Sequence, residues 1–141
     1  MITSDSLDLA VCLPTRANLL LTGPTDVADA FVETLRPCLQ DPVAILRGGE
    51  PFALPSAPVG TLFLTDVGAL TFEEQRRLYE WLEERSSGTQ VISMSATSLM
   101  PMVAAGNFLE GLYYRLNTIY IDITARHLAS LPLRIPAQRS V

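Results

Sequence analysis

Thr61-Leu62-Phe63-Leu64-Thr65 is an apolar run with no polar alternation, and a strand of that kind has to be covered on both faces. Asn18-Leu19-Leu20-Leu21-Thr22 has the same character and closes on Gly23-Pro24. Val43 to Leu46, Gln90 to Met94 and Thr118 to Ile123 supply three further strands, the last by alternation and β-propensity. Helical patterns separate them. Asp26 stands at an N-cap position before Val27, Ala30, Phe31, Thr34 and Leu35, a pattern that runs to about Arg36 ahead of Pro37. Thr71, with Glu74 three residues on, starts a helix to about Arg85. Phe72, Leu78, Trp81 and Leu82 lie on its inner side, and Glu73, Arg77, Glu80 and Glu84 on its outer side. Glu73 precedes Arg77 by four, the favourable order for a helical ion pair. Shorter helices are expected over Leu99 to Ala105 and Phe108 to Leu116. Strands alternating with helices predict an α/β three-layer sandwich, a mostly parallel sheet of about five strands with any site at the strands' C-terminal edge.

Composition narrows the chemistry that such a domain can carry. The 141 residues include no lysine, so all ten basic side chains are arginine. Schiff-base chemistry, lysine general bases and the phosphate-gripping lysine of a working P-loop are thereby excluded. One histidine, His127, and two distant cysteines, Cys12 and Cys38, do not make a zinc site, so no metal is expected. Asp5 and Asp8 stand where a secretory leader would be positive, and no apolar run is long enough to span a bilayer. A cytoplasmic location with two reduced, buried thiols is expected. Residues 1–70 carry eight acids and three arginines, an unfavourable surface for direct DNA binding, and the arginines beyond Asp122 are too few for a nucleic-acid footprint.

Two longer strings carry a resemblance. Gly60 to Leu70 (GTLFLTDVGAL) is similar to the GTLFLDEIGEL segment of the AAA+ central domain of sigma-54-dependent, NtrC-like transcriptional activators, and Gly106 to Asn117 (GNFLEGLYYRLN) resembles that family's GRFREDLYYRLN. Both stand in the family's order, and the likeness extends over roughly residues 14–123. It implies a P-loop NTPase core, a single domain over residues 1–141 with its core at about 14–123 and a tail from 124, without the family's helical lid or helix-turn-helix DNA-binding domain. The native-looking Met1 leads to the expectation of a complete small protein, with a fragment of a longer two-component response regulator as the alternative.

Position by position, the resemblance implies altered chemistry. The family's GESGTGKE phosphate loop corresponds to Gly23 through Ala30: Gly23 matches, Ala28 replaces the second glycine, Asp29 the lysine, and Ala30 follows. Asp26 and Asp29 would face phosphate oxygens with like charge. In the Walker B segment Thr65 replaces the magnesium-binding aspartate and Asp66 the glutamate that polarises water. Ser98 is the counterpart of the family's polar sensor. Of two arginines offered to a neighbour's ATP, one position holds Leu109 and the other keeps Arg115, and no GAFTGA-like string occurs. The expectation is a module of bacterial transcription regulation or signalling that binds neither ATP nor magnesium and catalyses nothing. Its partner is expected to be a protein, either a second copy or an intact AAA+ activator. The competing readings are a nucleotide- or anion-binding switch at Thr22 to Val27 and a receiver domain, which would require an acidic pair after the first strand and a lysine after the fifth. Asp66 is expected to cap the turn that follows it. Arg115 is expected to pair within its own domain or at a self-interface, the alternative being a finger inserted into a neighbouring subunit. Tyr113, Tyr114 and Leu116 are expected to pack on the sheet.

Overall fold

A computed structural model describes residues 16–24, 26, 30, 33–85 and 88–122. Five strands, β1 (Leu19–Thr22), β2 (Val43–Arg47), β3 (Thr61–Thr65), β4 (Gln90–Ser95) and β5 (Ile119–Asp122), form one sheet in the order β2-β3-β4-β1-β5. Every adjacent pair is parallel. The register aligns Ile45, Phe63, Ile92, Leu19 and Ile119 in one row across all five strands. This row lies in a core cluster completed by Leu35 and Leu39 from the connection between β1 and β2, where Asp26, Ala30 and residues 33–35 are helical.

The opposite face is covered by α1 (Phe72–Arg85), α2 (Met100–Ala104) and α3 (Glu110–Leu116), whose Leu78, Leu82, Met102, Leu112 and Leu116 share a core cluster with Leu20, Leu62, Leu64 and Val91, joined by Leu99 just before α2. Helical cover on both faces is what lets these strands be apolar throughout. The shift from inward Phe63 to outward Leu62 and Leu64 along one strand shows the two-residue pleat feeding two separate cores. On the α1 side, buried Ser93 has a hydroxyl without a partner among the described residues.

Three expectations about helix faces are corrected. Phe72 is 51% exposed, because the inner place in the first turn of α1 goes to Gln75, which is 1% exposed. Arg76, not Arg77, bonds Glu73, at 2.6 Å, and it also reaches Glu80 at 3.8 Å; Arg77 instead lies 5.3 Å from the centre of the Phe52 ring. Tyr114 is 60% exposed, since it sits two residues from buried Leu112 and so on the opposite side of α3. Tyr113 is half-buried and meets the Tyr114 ring edge-on, with centroids 5.5 Å apart. The shorter helices also start later than the sequence pattern suggests, at Met100 and Glu110.

The start of α1 is fixed by a reciprocal pair. The Glu74 amide donates to Thr71 Oγ1 at 3.1 Å, and the Thr71 amide donates to Glu74 Oε1 at 2.9 Å. Two helix-terminal donors are thus satisfied without water. Thr71→Ala removes the cap and is expected to cost about 1 kcal/mol of stability, whereas Glu74→Gln, which keeps an acceptor, costs less. Urea denaturation followed by circular dichroism measures both.

Candidate functional site

An all-parallel sheet brings every strand's C-terminal end to one edge, and the loops there are the place for a ligand. β1 ends at Thr22, and the buried Gly23 amide donates to the Ser95 carbonyl at 3.0 Å, tying the ends of β1 and β4 together. Beyond it, Pro24, Asp26 and Ala30 are exposed, and the last two are helical. Ala28 and Asp29 lie outside the described residues. β3 ends at Thr65, which is buried and accepts the Gly48 amide at 2.9 Å through its carbonyl. Asp66 follows in the left-handed conformation (φ 57°, ψ 48°), with its side chain exposed. β4 ends at Ser95, whose hydroxyl donates to the Thr97 carbonyl at 2.6 Å. Ser98 stands exposed beyond the strand, its Oγ accepting the Met100 amide at 3.4 Å. Asp122, opposite Thr22 in register, closes the edge on β5.

The structure therefore gathers Gly23, Thr65, Asp66 and Ser98 at one edge. It corrects the expectation that the Asp66 side chain caps the next turn: no side-chain cap bond forms, and the Asp66 carbonyl accepts the Ala69 amide instead at 3.0 Å. Among the described residues no group of three or more His, Cys, Asp or Glu could hold a metal ion, and no helix is long and apolar enough to cross a membrane.

Arg115 is at the other end of the sheet. Its guanidinium pairs with the Glu83 carboxylate and donates to the Leu82 carbonyl at 3.1 Å, so it closes the last turn of α1 within its own domain. The Arg115 carbonyl in turn accepts from Asn18, whose Oδ1 accepts the Val91 amide at 2.9 Å. Cys38 is half-buried, while Cys12 and His127 lie outside the described residues.

Two residues that hold this edge in shape were not singled out in the sequence. A Cβ on Gly48 would lie 2.7 Å from the Asp66 carbonyl oxygen and 2.9 Å from its Cβ, so only glycine fits there. Gln75 donates to the Leu70 and Asn107 carbonyls, each at 3.2 Å, and accepts the Leu109 amide at 2.8 Å. It joins the segment after β3 to the loop between α2 and α3. A polar side chain three residues before Leu78 and seven before Leu82 is the signal that could have revealed it.

The family described as Sigma-54 interaction domain matches residues 15–125. The chain belongs to the sigma-54 interaction domain family. VnfA, a nitrogen fixation protein of Azotobacter vinelandii, is 39% identical over 75 residues, covering 45% of this chain and 14% of its own length. RtcR, a transcriptional regulatory protein of Escherichia coli (strain K12), is 29% identical over 150 residues, covering 76% of this chain and 28% of its own. The chain thus spans less than a third of the length of these two curated relatives. NtrX from Brucella abortus superposes with a TM-score of 0.69 at 21% identity, over 83% of this chain and 35% of that one, a likeness in fold. The sigma-54 activator-like domain of this chain is accordingly an AAA+, P-loop-type α/β fold of the kind found in transcriptional regulators.

The packing of Gly48 on Asp66 generates two opposed predictions. Gly48→Ala forces backbone apart and is expected to cost about 1–3 kcal/mol in thermal denaturation. Asp66→Gly relieves a left-handed side-chain-bearing residue and is expected to leave stability unchanged or raise it by up to about 1 kcal/mol.

Proposed function

We propose that this domain, with its core over about residues 14–123, works in bacterial transcription regulation by protein contact and does not hydrolyse ATP. The observation that carries this reading is the chemistry of the C-terminal edge: Asp26 and Asp66 are exposed there, Thr65 is buried at the end of β3, and the whole chain offers no lysine. Phosphate binding at a strand-to-helix turn needs closely approaching amide donors and a cation. Here the Gly23 amide already bonds Ser95, and the neighbouring ionisable side chain is Asp26. Like charges brought into contact cost several kcal/mol when partly desolvated. Thr65 supplies a neutral hydroxyl where a hard cation prefers carboxylate.

What remains intact is the scaffold that presents surfaces. Tyr114, Phe72 and Met100 are large apolar or aromatic side chains open to solvent, the kind enriched where proteins meet. The expected partners are a second copy or an intact AAA+ activator. Arg115, at the opposite end of the sheet from Gly23, has no route to its own domain's edge. Its bonds to Glu83 and Leu82 support a structural role within the domain.

A second reading is favoured by NtrX, which has been solved in complex with ADP and with ATP. In that reading the turn from Thr22 to Val27 retains a nucleotide or anion and the domain switches with it. Isothermal titration of the full chain with ATP and magnesium separates the two. The proposal expects no saturable heat up to about 1 mM ATP, a limit of about 4 kcal/mol of binding free energy. Micromolar binding, or measurable phosphate release, sinks it in favour of the switch.

A further inference from the structure

The strand order leaves β2 with a neighbour on one side, β3. The Thr61 amide donates to the Pro42 carbonyl and the Gly48 amide to the Thr65 carbonyl, so Pro42, Ala44, Leu46 and Gly48 turn their main-chain groups towards β3. The N–H and C=O groups of Val43 and Ile45 therefore point away from the sheet, and among the described residues nothing bonds them there. The side chains of this strand are apolar on both faces: Val43 and Ile45 pack against one core, Ala44 and Leu46 against the other, and all four are half-buried. Open donors and acceptors between two apolar flanks make a template for another strand.

We propose that two copies of the domain join through β2, their strands running antiparallel about a two-fold axis so that one sheet continues through both. The charges at the ends of the strand select this occupant and its register. Exposed Asp41 and half-buried Arg47 each stand three residues from Ala44. Pairing centred on Ala44 sets Asp41 of each copy opposite Arg47 of the other, so a single symmetry operation forms both opposite-charge pairs. Val43 then lies opposite Ile45, and these are the residues that exchange both N–H···O bonds. Pro42, which has no N–H to give, falls opposite Leu46 at a position that needs none. Centring on Ile45 instead sets Asp41 against Gly49 and draws on the Arg47 carbonyl, which already accepts the Glu50 amide at 3.2 Å. The inference rests on the reading that the domain works by protein contact, and it names the surface by which a second copy makes that contact.

Sedimentation analysis of the full chain from about 1 to 500 μM, a range that covers weak association, tests it. The wild type is expected to pass from monomer to dimer across that range. V43P removes an outward N–H while leaving the ladder to β3 intact, and is expected to stay monomeric throughout. D41R alters an exposed side chain, sets arginine against arginine and is expected to weaken the dimer about tenfold; D41R/R47D restores opposite charges in reversed order and is expected to recover it to within about threefold of the wild type. Circular dichroism checks that each variant is folded, and the two charge variants decide the matter should V43P not fold. A wild type that remains monomeric at the highest concentration overturns the proposal. So does a dimer that folded V43P leaves intact, that D41R does not weaken or that D41R/R47D does not recover. Such a dimer uses another surface or register, and protein contact as the domain's mode of action then still stands.

Discussion

The row Ile45–Phe63–Ile92–Leu19–Ile119 is the constraint on which the rest of the molecule depends. Five neighbouring apolar side chains on one face, three of them fully buried, cannot be left to water; each large aliphatic or aromatic side chain removed from it contributes roughly 1.5–3 kcal/mol. The alternate residues Leu20, Leu62 and Leu64 make the same demand on the other face. A sheet with two such faces needs a helical layer on each, and crossover connections between parallel strands supply them. The order β2-β3-β4-β1-β5 follows that logic: the β1-to-β2 connection covers one face, while the β3-to-β4 and β4-to-β5 connections cover the other. Once all strands point the same way, the two edges of the sheet are chemically different places.

The N-terminal edge is held by side chains. Arg16 donates to the Gly60 and Gly88 carbonyls at 2.8 and 2.7 Å, Gln90 to Ala17, Thr61 to Gln40 and Thr89 to Val59. Arg16 does this from a left-handed backbone conformation (φ 67°), a cost offset by two bonds to loops far away in sequence. Arg115 and Asn18 extend the same network into α1 and α3. The C-terminal edge is held mainly by backbone, through Gly23 to Ser95 and Gly48 to Thr65. Its side chains are left to project.

The strands were legible in the sequence because burial on both faces leaves an unbroken apolar run, and the Thr71–Glu74 pair because a capping box is a local pattern of two residues. The likeness of Gly60–Leu70 and Gly106–Asn117 to sigma-54 activators was legible for the same reason: both strings are continuous in sequence. What escaped depends on contacts remote in sequence. Gln75 looks like a misplaced polar residue until the carbonyls of Leu70 and Asn107 are seen to meet it. The choice of Arg76 over Arg77 turns on Phe52, which comes from the loop after β2. Tyr114 neighbours residues that pack on the sheet, yet a seven-residue helix has only one inward stripe, and Leu112 and Leu116 fill it.

Backbone closure of the C-terminal edge leaves the fold independent of most of the side chains that stand there. The bonds that join β1 to β4 and β2 to β3 at that end use main-chain atoms of Gly23, Ser95, Gly48 and Thr65, which persist whatever side chains stand at 26, 29 or 65. Gly48 is constrained in identity, by its approach to Asp66. The apolar row and the stapled N-terminal edge carry the stability, so carboxylates can occupy the C-terminal edge without penalty to the core. Fold and site are separable here in a physical sense. The side chains that make the domain stable lie in the two cores and along one edge, whereas the side chains of the other edge project from a frame closed by backbone bonds.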